Sequence, residues 1–310
     1  MLKILILGSA AGGGSPQWNC NSPVSRAVRE GNSGTSPRTQ SSIAVTANGD
    51  DWILFNASPD LGSQILKNNQ MHPKKDLRHS PIRGVVLTNG DVDHVAGLLT
   101  LRERQNLSVY AHKRVHSVLN ENSIFNVLNS DYVDRRELKM NNRFEIKDKQ
   151  GEGLGIEIEA FEVPGKIALW LEDESKGNNF GSEEGDTIGL KILSKDNNKS
   201  FYYIPACAKM TSELADRVKG SEVVLFDGTL WKNDEMASSK VGEKTGQRMG
   251  HMNNSGTDGS IEAFKNLDVK RKIYIHINTT NPILLGDSNE RKIVEENGWE
   301  VSYDGMEIDL

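Results

Sequence analysis

The chain has 310 residues, 36% of them hydrophobic, and a formal charge of −6 with a pI near 5.7. That length supports a sizeable buried core, and the acidic balance, without any basic run, argues against a nucleic-acid-binding surface. No apolar run approaches the ~20 residues that cross a bilayer, so no membrane span is expected.

Met1–Gly8 could pass for a signal peptide. Its apolar core is too short, however, and it runs directly into Gly8-Ser9-Ala10-Ala11-Gly12-Gly13-Gly14, the pattern of a strand followed by a loop. The glycines also invite a dinucleotide-binding reading. Their spacing is not G-x-G-x-x-G, and Pro16-Gln17-Trp18 stands where a helix should open, so no nucleotide cofactor is expected. Strands are predicted over Ile4–Leu7, Ser42–Thr46, Trp52–Phe55, Val85–Leu87, Ser108–Tyr110, Ile156–Phe161, Thr187–Ile192, Phe201–Ile204, Val223–Phe226 and Lys272–Ile277. Helices are predicted over Leu61–Lys67, Ala96–Arg104, Lys113–Asn120, Met210–Val218, Thr257–Phe264 and Asn289–Asn297. Strands that are both adjacent and alternating with helices suggest two sheets flanked by helices.

No internal repeat and no Pro- or Ser-rich linker is visible, so one domain over 1–310 is expected. The polar stretches Asn68–Arg78, Leu171–Asp186 and Trp231–Gln247 read as long surface loops, of the kind that form lids or substrate walls. Cys20 and Cys207 lie far apart and give no disulfide framework, which makes a reducing cytoplasm the simplest compartment. Cys207 reads as a buried core thiol.

The stretch Leu87-Thr88-Asn89-Gly90-Asp91-Val92-Asp93-His94 carries the strongest chemical signal. A strand here ends at oxygen-rich side chains and a histidine, and a helix start follows at Gly97-Leu98-Leu99. Asp91, Asp93 and His94 in one tight turn suit a divalent metal, and carboxylate plus imidazole suits iron, manganese or zinc better than calcium. The plainer alternative is a solvated, Asp-rich turn that caps the helix. Further polar residues also sit at strand ends: Lys166 after Pro164-Gly165, Asp227 before Gly228-Thr229, His251 after a polar loop, and His276 in Ile273–Asn278.

The order strand–D-x-D-H, strand–P-G, strand–D-G-T and strand–H resembles the metallo-β-lactamase fold over nearly the whole chain. The match narrows to the pyrroloquinoline quinone (PQQ) synthesis protein B family. It rests on Gly8–Gly14, Pro16-Gln17-Trp18-Asn19-Cys20, Arg38–Ala44, Phe55–Asp60, Val92-Asp93-His94, Leu98–Glu103, Phe226–Thr229 and Asn281-Pro282-Ile283-Leu284. The resemblance implies an α/β fold of αββα sandwich type, with two mixed sheets, helices outside and the metal at one sheet edge. It also implies a part in making PQQ from a cross-linked Glu–Tyr unit, as an iron-dependent oxygenase that hydroxylates the tyrosine-derived ring. An older suggestion for the family is help in moving PQQ or its precursor to the periplasm.

The hydrolytic branch of the fold carries H-x-H-x-D-H and a histidine after the Pro-Gly turn, where this chain has Asn89, Asp91 and Lys166. Too few ligands remain for a dinuclear hydrolase centre. Asp91, Asp93, His94, Asp227 and His276 can still hold one metal, with His94, His276 and one of Asp93 or Asp227 as the expected facial triad. Fe(II) is the expected cofactor, with zinc an alternative in purified protein. His251 is the expected proton-transfer group. Lys166, Arg38 and Arg102 are expected to contact substrate carboxylates; Lys166 also stands with His251 among the expected catalytic residues, a solvated turn residue being its plainer reading. His276 could instead be a satisfied core histidine, and His112 and His116 read as a solvated pair. Many relatives carry C-x-C-x-x-C from Cys20 onward; with Ser22 and Ser25 here, no structural zinc is expected. The expected partner is the small-molecule PQQ precursor, with other proteins of the pathway and a second copy of the chain, as a homodimer, as further candidates. A precursor carrier and a phosphodiesterase-like metallo-hydrolase are the rival readings.

Overall fold

The structure is a computed structural model that describes residues 1–177 and 180–310. Its first sheet contains β1 (Lys3–Gly8), β2 (Ser42–Thr46), β3 (Trp52–Phe55), β4 (Ile82–Val86), β5 (Leu107–His112) and β6 (Val133–Leu138). The second contains β7 (Arg143–Lys147), β8 (Gly153–Glu162), β9 (Ile188–Ser194), β10 (Ser200–Ile204), β11 (Val223–Asp227), β12 (Arg271–Ile275) and β13 (Trp299–Val301). The last strand, β14 (Glu307–Asp309), returns to the first sheet. The strand orders are 14-1-2-3-4-5-6 and 13-12-11-10-9-8-7. In the first, pairs from β14 to β3 are antiparallel and pairs from β3 to β6 parallel. The second repeats this plan, antiparallel from β7 to β10 and parallel from β10 to β13. This structural repeat escapes the sequence because it lies in strand direction, not in residue identity.

Alternation along the strands builds three apolar layers. Ile4 and Ile6 of β1 face Val223 and Leu225 of β11 in a core between the sheets, with Phe55, Ile158 and Tyr203. Their neighbours Leu5 and Leu7 turn outward under Leu61, Leu98 and Val115. Val224 and Phe226 turn outward under Leu214, Phe264 and Val294. Strands buried on both faces must be apolar throughout, so the runs read from sequence are continuous. Each buried aliphatic side chain contributes about 1.5–3 kcal/mol by leaving water.

The helices α1 (Pro23–Arg29), α2 (Leu61–Lys67), α3 (Val92–Val95), α4 (Lys113–Glu121), α5 (Ser212–Val218), α6 (Glu235–Ser238), α7 (Gly246–Met249), α8 (Ser260–Ala263) and α9 (Asn289–Glu296) lie outside the strands. The single helix expected over Ala96–Arg104 is instead α3 followed by a 3-10 segment, Ala96–Leu101. Gly97 permits that close turn: a Cβ there would lie 2.1 Å from the Ser58 carbonyl oxygen. Unforeseen β6 and β7 are rich in charge; α6 falls inside the stretch read as the loop Trp231–Gln247, and α7 begins at its end. Asn178 and Asn179, in the expected loop Leu171–Asp186, lie outside the described residues. Among the described residues, no helix is long and apolar enough to cross a membrane.

Candidate metal centre

The parallel halves of both sheets deliver their C-terminal ends to one place. After β4, the chain runs through Asn89 into α3, with Asp91 as its N-cap residue and Asp93 and His94 inside it. After β11, Asp227 leads to Thr229. After β12, His276 follows with φ 59°, a left-handed conformation that turns the chain out of the sheet. The strand expected to reach Ile277 therefore stops at Ile275, and His276 is a turn residue at the site rather than a core histidine inside a strand.

Three atoms of a kind that can bind a metal converge. Asp93 Oδ2 lies 3.1 Å from His276 Nε2 and 3.8 Å from His94 Nε2. The rings of His94 and His276 stand edge to face, with centroids 5.3 Å apart. His94 Nδ1 is 2.7 Å from Asn89 Oδ1, so His94 carries its proton on Nδ1. Its Nε2 is buried without a hydrogen-bond partner among the described residues. His276 Nδ1 lies 2.9 Å from Thr229 Oγ1, and the Thr229 hydroxyl is 2.6 Å from Asp227 Oδ1, to which it donates. That hydroxyl therefore accepts from His276, again leaving Nε2 to face Asp93.

A second cluster adjoins the first through His276. His251 Nδ1 is 2.7 Å from Asp227 Oδ2, and its ring stacks on His276 with centroids 5.1 Å apart. Asp227 is fully buried and also accepts the Cys207 and Thr229 backbone N–H groups. Both groups, Asp93–His94–His276 and Asp227–His251–His276, are compact enough to hold a metal ion. Asp227 is the more heavily engaged carboxylate, and its hydrogen bonds orient the imidazole of His251.

The electrostatics follow from burial and mutual charge. Burial pushes His94 down to about 4, with His276 and His251 adding to the fall against the pull of Asp93. Burial raises the Asp93 carboxyl, but the nearby His94 and His276 outweigh it and hold Asp93 well below the usual carboxylate range. Burial lowers His276, yet its bond to Asp93 and the surrounding carboxylates move it up overall. Asp91 is raised, by burial first and by Asp93 second, against Lys166.

Asp91 Oδ1 accepts the Leu169 N–H at 3.2 Å and lies 3.9 Å from Lys166 Nζ. Lys166 lies closer to Glu172, at 3.3 Å, and Glu172 is also held by both terminal nitrogens of Arg248. The segment around Leu169 is thereby tied to α7, just ahead of His251. These groups open into a cavity of about 420 Å³, lined among others by Asp91, Asp93, His94, Lys166, His251 and His276.

The two expected substrate arginines are not in that cavity. Arg38 is buried and donates to the Ser302 carbonyl and to Ser9, which fixes the loop after β1 rather than a ligand. Arg102 is exposed at the end of the 3-10 segment, bonded to the Leu99 carbonyl and beside Glu103. His116 is not a solvated partner of His112; its Nε2 lies 2.9 Å from the Arg136 carbonyl. Cys207 is fully buried, as expected, and burial pushes its thiol up to about 12. Cys20 is buried beside Ser22 and Ser25, whose hydroxyls approach the thiol. The sequence reading missed the roles of Asn89 and Thr229; an Asp-x-Thr step at a strand end was the available signal for Thr229.

Residues 51–277 match a family model described as the Beta-lactamase superfamily domain, which fits the paired sheets and the site at their edge. The chain is 48% identical over 309 residues to the coenzyme PQQ synthesis protein B of Xanthomonas campestris pv. campestris, covering all of both chains. It is 47% identical to zinc-bound PqqB from Methylobacterium extorquens, whose crystal structure it matches with a TM-score of 0.93 over 99% of this chain and 100% of that one. The chain belongs to the coenzyme PQQ synthesis protein B family. A diphosphatase of the PhnP family, 16% identical with a TM-score of 0.68 over 100% of this chain and 98% of that one, shares the fold alone.

Proposed function

We propose that the chain serves PQQ biosynthesis as an Fe(II)- and O2-dependent hydroxylase of the tyrosine-derived ring of a cross-linked Glu–Tyr precursor. The observation that carries this reading is the convergence of Asp93 Oδ2, His94 Nε2 and His276 Nε2. Two imidazoles and one carboxylate are the donor set of non-haem iron oxygenases, and the unpartnered, buried Nε2 of His94 is what a ligand atom without its ion looks like. Iron held there supplies the O2 chemistry that inserts oxygen into an aromatic ring.

The remaining roles belong to the chain's own groups. Asn89 and Thr229 keep the protons of His94 and His276 on Nδ1. Asp227 holds Nδ1 of His251, so that Nε2 is the position that takes and returns a proton at the cavity wall. Asp91 and Lys166 line the same wall, and Lys166 offers a positive charge to a substrate carboxylate.

The test is anaerobic purification, loading with Fe(II), and mixing with the cross-linked Glu–Tyr compound and O2. Ring hydroxylation seen by mass spectrometry, and lost in His94→Ala and His276→Ala, supports the reading. The second reading is a carrier of PQQ or its precursor. It draws on the zinc in the Methylobacterium extorquens relative, since zinc has no redox chemistry. Tight binding without a mass change, retained in both variants, would favour it. A phosphodiesterase-like role is the weakest, because Asn89, Asp91 and Lys166 stand where a dinuclear centre needs histidines.

A further inference from the structure

The metal-centre cavity shares part of its wall with a second compartment. Gln17, Met236 and Asn278 border the cavity, and the same residues border this compartment of about 530 Å³ beside Cys20. Both volumes fall in the range of small-molecule sites. The compartments differ in charge. The first has Asp91 and Asp93 in its wall, and of its lysines Lys166 is already engaged with Glu172. The second has Arg26 and Lys240 in its wall and no carboxylate. Arg26 and Lys240 take part in no ion pair among the described residues. Both cations thus line one polar recess without an acidic group in its wall.

We propose that this compartment is a second subsite, in which Arg26 and Lys240 take a carboxylate of a ligand whose ring lies in the metal-centre cavity. The ligand class is an elongated aromatic with two or more carboxylates, and this identification of the ring rests on the hydroxylase reading. A carboxylate carried past Gln17 and Asn278 meets the positive charge of Arg26 and Lys240. The shared wall, where Asn278 Nδ2 lies 3.0 Å from Met236 Sδ, must part for one ligand to span both compartments, which selects for ligand length as well as charge. A compact phenol with one carboxylate fills the first compartment and leaves Arg26 and Lys240 in water.

Binding, not turnover, tests this. Zinc-loaded protein, which is redox-inert, is titrated calorimetrically with the cross-linked Glu–Tyr compound and with p-hydroxyphenylacetate. The double variant Arg26→Ala/Lys240→Ala is expected to bind the Glu–Tyr compound ~10- to 100-fold more weakly, with p-hydroxyphenylacetate unchanged. Arg26→Lys/Lys240→Arg, which keeps both charges, is expected to stay within about threefold of the parent. Both residues are exposed, so melting temperatures should stay level and report on folding. Unchanged affinity for the Glu–Tyr compound, or equal weakening for both ligands, overturns the subsite and leaves the hydroxylase reading standing. Selective weakening, in a protein that with Fe(II) and O2 hydroxylates nothing, supports the subsite and overturns that reading. A parent protein that binds no Glu–Tyr compound overturns both.

Discussion

His94 Nδ1 lies 2.7 Å from Asn89 Oδ1, and the same oxygen accepts the Asp91 backbone N–H. An amide oxygen only accepts, so the pair fixes the His94 tautomer and the direction of Nε2. At the position where the hydrolytic branch of the fold carries a histidine, this chain has the residue that orients His94. Asn89→Ala should weaken metal binding roughly 10- to 100-fold, read by competition with a chromophoric chelator. Asn89→Asp, which keeps an acceptor in place, should recover most of that loss. Metal affinity unchanged in the alanine variant would show that Asn89 does not orient the ligand.

Thr229 works on three groups through one hydroxyl, with Oγ1 2.6 Å from Asp227, 2.9 Å from His276 and 3.1 Å from His251. Thr229→Val keeps the shape and removes the oxygen, leaving His276 Nδ1 without its acceptor. Metal affinity should fall about tenfold or more. Thr229→Ser should behave like the parent protein. A valine variant with normal affinity and an unchanged Co(II) absorption spectrum would assign the hydroxyl to folding alone.

Glu235 is a buried carboxyl away from the ligand atoms, bonded to Thr280 Oγ1 and to the Trp231 N–H. Burial pushes it up to about 7, against those hydrogen bonds. Its folded value is thus raised above the ordinary one, and the folded state holds the extra proton between about pH 4.5 and 7. Stability contributed by this group is fully present below that window and falls as pH rises through it, by about 3 kcal/mol in all. Glu235→Gln should remove that slope. The comparison is made as the difference between the two proteins in urea melts, because the lowered His94 gives an opposing slope from about pH 6.5 down to 4. Parallel stability profiles for the two proteins would contradict it.

Cys20, Ser22 and Ser25 keep the spacing C-x-C-x-x-C with two hydroxyls in place of thiols. Serine is a poor zinc ligand, so the parent protein should bind near one metal equivalent, counted by elemental analysis. Ser22→Cys/Ser25→Cys restores three thiolates around a position where the three side chains already meet and should raise the count by one. Two equivalents in the parent protein would overturn this.

Most of the fold was legible because strands buried on both faces leave unbroken apolar runs. Ser42–Thr46 and Trp52–Phe55 were readable to the residue for that reason. The β6 segment Val-Asp-Arg-Arg-Glu-Leu was not, since an edge strand with polar neighbours carries no such run. At the site, Asp93, His94 and His276 were legible as residue types at strand ends. What the sequence could not give was direction: Arg38 sits beside a shared block yet turns inward to the Ser302 carbonyl. Nor could it rank Asp93 against Asp227, which takes the distances to Thr229, Cys207 and His251.

Asp93 and His94 ride on the first sheet and His276 on the second, and the Asp93–His276 contact joins positions 183 apart in the chain. An ion held by all three is a clasp across the open edge of the sandwich. Each tenfold of metal above its dissociation constant adds about 1.4 kcal/mol to the folded state. Chelation should therefore lower the melting temperature and prise the two sheets apart first at this edge.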